Sequence, residues 1–142
     1  MINEKLSKAI IKEVKNDEWH NLNELILNLE NVNDKLKFRL DMPEFVIENP
    51  TILHMCCYFG SSDCFQYLLN IADLEITDSY GRNILHYASC SKKIEFIRIL
   101  ENNIEQYFYP DKNGLTPAHY AAIFGDIDLI KYFFLKGLPI SN

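Results

Sequence analysis

The chain has 142 residues, 48% hydrophobic and 24% charged, which suits one globular domain with enough apolar material for a core. A net charge of −6 argues against nucleic acid or anionic membrane as partners, because both favour basic surfaces. No apolar run approaches the roughly 20 residues that span a bilayer, and the stretch up to His20 has no signal-peptide core, so a cytoplasmic setting is expected.

In chain order, Leu6, Ile10 and Val14 recur at i, i+4, i+8, and Leu22, Leu25, Ile26 and Leu29 at i, i+3, i+4, i+7. Both patterns predict amphipathic helices, separated by the polar "KNDEWH". Within residues 31–49, Leu36, Phe38 and Leu40 alternate with Lys35, Lys37 and Arg39. Period two predicts an extended segment with one basic face. It is either an enlarged hairpin loop leading into the next unit or a strand for an acidic partner.

The rest of the chain repeats itself. "NPTILHMCCYFG" surrounds His54, "YGRNILHYASCSK" surrounds His86 and "NGLTPAHYAAIFG" surrounds His119, at separations of 32 and 33 residues. An apolar segment follows each: "CFQYLLN", "EFIRILE" and "LIKYFFL". Three residues before each His stand Thr51, Asn83 and Thr116, all suited to cap a helix N-terminus with a side-chain oxygen. Pro117 then fits the first helical position, where its missing N–H has no intrahelical partner. Asn49, Gly81 and Gly114, five residues before each His, suit a tight turn at positive φ. Gly60, Lys92 and Gly125, six residues after it, mark the helix stop. At that slot Lys92 costs about 1–2 kcal/mol if it takes positive φ, so the middle unit is expected to bend differently.

Each unit therefore reads as a turn, a short helix, a break and a second helix. The second helices are apolar on more than one side, through Phe65, Leu68 and Leu69, then Phe96, Ile97 and Leu100, then Leu129, Ile130 and Phe133. One unit alone cannot hide that surface, so the units are expected to stack.

"DKNGLTPAHYAAIFGDIDLIKYFFLKG" resembles an ankyrin repeat, close to that family's D-x-x-G-x-T-P-L-H-x-A-A-x-x-G pattern, and Asp78 and Asp111 match its turn-opening Asp. The departures are Ala118 for Leu, Lys92 for Gly, and Val46 and Asn49 in the first copy. The resemblance implies an all-α fold, a solenoid of stacked helix-turn-helix units. Three repeats would span 46–77, 78–110 and 111–142. Residues 1–45 would form a degenerate repeat serving as N-terminal cap, or alternatively an independent partner-binding hairpin.

The resemblance also implies that His54, His86 and His119 are structural, each ring fastening a helix start and a neighbouring repeat. Thr51, Asn83, Thr116, Gly81 and Gly114 belong to the same scaffold. A metal role needs converging ligands, whereas each His repeats the same slot in its own unit. His20 lies outside the pattern and is expected on the surface. Cys56, Cys57, Cys64 and Cys90 form no Cys-x-x-Cys pair and are expected as free thiols packing like small hydrophobes. Pairing Cys56 or Cys57 with His54 as a nucleophile is disfavoured, since both Cys occupy the small-residue slots shared with Ala88-Ser89 and Ala121-Ala122. No catalytic residue, cofactor or metal site is expected.

Ankyrin-family proteins bind other proteins through turn tips and the inner face of the first helices. The matching positions are Ser79, Tyr80, Arg82, Lys112, Asn113 and Leu115 at the tips, and Tyr58, Phe59, Cys90, Ser91, Ile123 and Phe124 on the helices. Tyr58, Phe59, Tyr80 and Phe124 are an aromatic set suited to anchor a protein partner, although Phe59 and Phe124 share one slot that can also pack inward. The expected role is a non-enzymatic interaction module. The alternative is a regulatory or targeting segment of a larger protein, such as a substrate-recognition adaptor. The last helix keeps Phe133 and Phe134 with little polar replacement, so its outer face is expected to be covered by further repeats, self-association or a partner.

Overall fold

The computed structural model describes residues 1–43, 45–102 and 109–137. The expected spans 78–110 and 111–142 therefore lie partly outside the described residues, at 103–108 and 138–142.

Helix α1, Glu4–Lys15, starts where the Asn3 side chain accepts from the Leu6 amide at 2.8 Å, and it buries Ile10, Ile11 and Val14. Asp17, at φ 55°, turns the chain into α2, Trp19–Ile26, which buries Leu22 and Ile26. The Asp17 carboxylate also accepts from the amides of Asp63 and Cys64, at 3.2 and 2.9 Å, at the start of a later helix. Such an anion suits the amide-rich N-terminus.

The alternating segment is extended, as its period requires. Its first part lies on α1: Ile2 bridges Leu36, and the Lys37 amide donates to Ser7 Oγ at 2.9 Å. Strand β1, Arg39–Asp41, then pairs antiparallel with β2, Val46–Glu48, with Leu40 opposite Ile47. Leu36 and Ile47 are fully buried while Lys37 and Arg39 are exposed, so the two faces divide as the alternation predicts. This ribbon is a small β element in an otherwise helical fold.

Three helix pairs follow. They are α3 and α4 (Ile52–Phe59, Ser62–Leu69), α5 and α6 (Ile84–Ala88, Ile94–Ile99), and α7 and α8 (Pro117–Ile123, Ile127–Leu135). The first helices form a row in which α3 packs on α1, α5 on α3 and α7 on α5. Cys56, Cys57, Ala88 and Ala121 are fully buried in this row, where small side chains permit close approach. Among the second helices, Phe65 of α4 stacks on Phe96 of α6 with ring centroids 4.2 Å apart.

The turn slots take positive φ, at 54° for Asn49, 76° for Gly81 and 82° for Gly114. Lys92 also adopts the left-handed conformation, at φ 60°, so the middle unit does not avoid it. The unit differs just upstream, because α5 ends at Ala88. There Ser89 Oγ, Cys90 Sγ and Ser91 Oγ donate to the carbonyls of Leu85, His86 and Ala88, at 2.7, 3.4 and 2.8 Å. Side chains bonded to the preceding turn compete with helix continuation. Among the described residues no helix is long and apolar enough to cross a membrane.

Candidate functional site

The three histidines bind their own helix starts alike. The amides of Thr51, Asn83 and Thr116 donate to Nδ1 of His54, His86 and His119 at 2.9, 2.9 and 2.8 Å. Each Nδ1 is thus an acceptor, which places the ring proton on Nε2. His86 Nε2 donates to the Leu115 carbonyl of the next pair at 2.8 Å, and the Ile76 carbonyl accepts from the His54 ring. His119 Nε2 has no partner among the described residues. Burial pushes His54 and His86 down to about 4, so both rings are neutral at pH 7.

The turns of the second and third repeats are each held by an opening Asp. Asp78 accepts from the amides of Tyr80 and Arg82 at 2.8 and 3.0 Å, and from the Tyr87 hydroxyl. Asp111 accepts from the amides of Asn113 and Leu115 at 2.8 and 2.9 Å, and from the Tyr120 hydroxyl. Burial first, and then the Asp78 charge, raises the Tyr87 phenol well above its ordinary value.

Arg82 requires a correction as an exposed anchor. It is 2% exposed and its Nε donates to Asp78 Oδ2 at 2.9 Å, so it is a buried cation in the turn. Cys90 is likewise buried. Lys112 and Asn113 are exposed at their tip, while Ser79, Tyr80 and Leu115 are half-buried. The tips are tied in series, with the Ser79 amide donating to the Glu48 carbonyl and the Lys112 amide to the Tyr80 carbonyl, at 3.2 and 2.9 Å.

Tyr58 and Phe59 at the end of α3 and Phe124 just past α7 are half-buried, and Ile123 is 39% exposed, whereas Ser91, expected on the helix, lies beyond the end of α5 and is half-buried. Tyr58 meets Phe59 edge-on with centroids 5.2 Å apart, and Tyr87 at 6.4 Å. Two residues missing from the sequence-derived surface join this set. Phe45 lies 5.9 Å from Phe124 between centroids, and Met42 Sδ accepts from the Tyr58 hydroxyl at 3.3 Å. The available signal was Met42 and Phe45, two apolar side chains beside a hairpin turn where polar residues are usual.

The geometry offers little nucleophilic chemistry. Burial raises the pKa of the Cys56 and Cys57 thiols, which keeps them protonated, and all four cysteines are buried thiols outside any disulfide. His54 spends Nδ1 on its own cap and its other nitrogen on Ile76. Among the described residues no three His, Cys, Asp or Glu side chains group as a metal ion would need.

Comparison with known proteins places this scaffold. The family model described as ankyrin repeats in three copies matches residues 10–107 and, overlapping them, 53–141. The chain is 31% identical over 96 residues to the tyrosine-protein kinase Shark of Drosophila melanogaster, covering 65% of this chain and 10% of that protein. It is 32% identical over 84 residues to a putative ankyrin repeat protein of Rickettsia bellii (strain RML369-C), covering 57% of this chain and 46% of that one. Over 94 residues it is 31% identical to the ADP-ribosylation factor GTPase-activating protein AGD4 of Arabidopsis thaliana, covering 66% and 12%. It thus spans less than half the length of each of these relatives. Repeated turns opened by Asp, helix starts locked by His and the family match across nearly the whole chain agree: this chain belongs to the ankyrin-repeat family.

Proposed function

We propose that this chain is a non-enzymatic interaction module that holds a protein partner through its repeat turn tips and the inner face of its first helices. In this reading the repeats form a solenoid and α1–α2 cap its N-terminal end. The observation that carries it is the run of half-buried aromatics from successive repeats, Tyr58 and Phe59, Tyr80, then Phe124, beside the exposed Lys112 and Asn113. Partly exposed aromatic rings give large apolar contact at low entropic cost, which makes them frequent interface anchors. Buried thiols outside any disulfide suit a reducing cytoplasmic setting.

A second feature supports a covered C-terminal face. Cys57 and Ser89 are fully buried beneath the following repeat, whereas Ala122 in the same slot of the third repeat is exposed. Ile127, Phe134 and Leu135 are 65%, 71% and 84% exposed. Further repeats, a second copy or a partner would cover this face. A place within a larger multidomain protein, for regulation or targeting, is the second reading. It is favoured by the small shares that the matched segments occupy in the Shark kinase and AGD4.

The test is affinity capture from native lysate with mass spectrometry. Wild type is compared with a Tyr58→Ala/Phe59→Glu/Phe124→Glu variant of verified helicity. A protein retained by wild type and lost by the folded variant is the expected result. Equal capture by both removes this face as the binding site.

A further inference from the structure

The tip of the β1–β2 hairpin lies over the same aromatic face. Phe45 reaches the third repeat, its ring centroid 5.3 Å from Tyr120 and 5.9 Å from Phe124. The Arg82 guanidinium of the second repeat lies over the Phe45 ring at 4.9 Å, and its Nη2 donates to the Val46 carbonyl. Met42 meets Tyr58 of the first repeat. One short tip therefore touches side chains of all three repeats. The hairpin's base is held separately, by the Leu36 amide on the Pro50 carbonyl at 2.8 Å and by Arg39 on Glu48 at 3.2 Å.

We infer that Arg82, Tyr120 and Phe124 form a peptide seat which this chain fills from within. The seat takes an extended protein segment that presents an aromatic ring to Arg82, Tyr120 and Phe124 and a backbone carbonyl to Arg82 Nη2. A partner engages it by taking the place of Phe45 and Val46. The chemistry of the seat selects this ligand. Asp78 already neutralises Arg82 at 2.9 Å, so the guanidinium offers a ring face and an Nη2 N–H rather than a free charge for a carboxylate. The chain's own tip is the example of the ligand, an aromatic residue leading into a strand. This inference deepens the proposed function and rests on its reading that the face binds protein.

Tethering sets the competition. A segment joined through a short connection has an effective concentration on the order of millimolar, so a free segment with equal contacts loses to it. The experiment uses the whole chain, isotope-labelled for NMR, as wild type and as Phe45→Ala. Each is titrated with a synthetic peptide of residues 39–48 and with the same peptide lacking the aromatic ring. In the Phe45→Ala chain the peptide should shift the amide signals of Arg82, Tyr120 and Phe124, with a Kd at least about tenfold below that for wild type. The ring-less peptide should leave those signals in place. Absence of these shifts on a folded Phe45→Ala chain, or equal affinity for both chains, overturns the inference. If circular dichroism finds Phe45→Ala unfolded, Phe45→Leu takes its place in the titration, keeping apolar volume without a ring. A failed titration alongside partner loss in the Tyr58/Phe59/Phe124 variant would remove the seat and leave the binding face standing.

Discussion

Acidification should weaken this fold well above the pH at which carboxylates protonate, through two buried imidazoles. His54 and His86 sit near pKa 4 in the folded chain, against an ordinary value of 6.5, with burial the main cause. Protonation also sets a ring proton against the backbone amide that Nδ1 accepts at 2.9 Å in each case. Because the folded pKa is the lower one, the unfolded chain binds more protons between about pH 4 and 6.5, and stability falls as pH falls through that window. The two histidines' contribution is complete above 6.5 and fully lost below about 4. At about pH 5 the unfolded ring is nearly all protonated and the folded ring nearly all neutral, a loss of about 2 kcal/mol per ring and about 4 kcal/mol for both. That is a large share of the roughly 5–15 kcal/mol typical of a domain. Urea unfolding followed by circular dichroism at about pH 7.5 and about pH 5 reads the difference directly. Nitrogen NMR of the folded rings should show the Nε2–H tautomer persisting down to about pH 5. A stability loss below about 1 kcal/mol, with both rings titrating near 6.5, would refute the reasoning.

Asp78→Ala should cost about 3–5 kcal/mol, because it strands the buried Arg82 cation, and adding Arg82→Met should recover part of that loss. A double-mutant cycle in urea checks this, and a double variant less stable than the single one would contradict it. Lys92→Gly should stabilise the chain by about 1 kcal/mol by relieving a left-handed side-chain position, read as a raised urea midpoint. Phe134→Ser with Ile127→Ser should change stability by less than about 0.5 kcal/mol, since both side chains are exposed, while reducing dye binding and any self-association seen by sedimentation. A large loss of stability would instead mean that this face is packed within the monomer.

The helix pairs, the starts of their first helices and the stops of the first and third were legible in the residues because they are local, whereas α5 ends at Ala88, short of the Lys92 slot. A cap joins residues three apart, as Thr51 and His54, and a left-handed stop at Gly60 or Gly125 depends on the backbone of one residue. Alternation over 35–40 was likewise enough to predict an extended segment, since period two follows from strand geometry alone. The candidate surface was legible only in part. Arg82 occupies a turn-tip slot by sequence, yet it is buried by Asp78 four residues earlier and by Val46 thirty-six residues earlier. Phe45 gained its place in the same way, through contacts with Tyr120 and Phe124 far along the chain. His119 matches His54 and His86 residue for residue, and differs only because no described carbonyl stands where Leu115 meets His86. The sequence by itself determined the repeating unit, because each unit is built from contacts within a few residues. Only the tertiary structure decided which side chains of that unit remain available to a partner, because exposure depends on what distant segments cover.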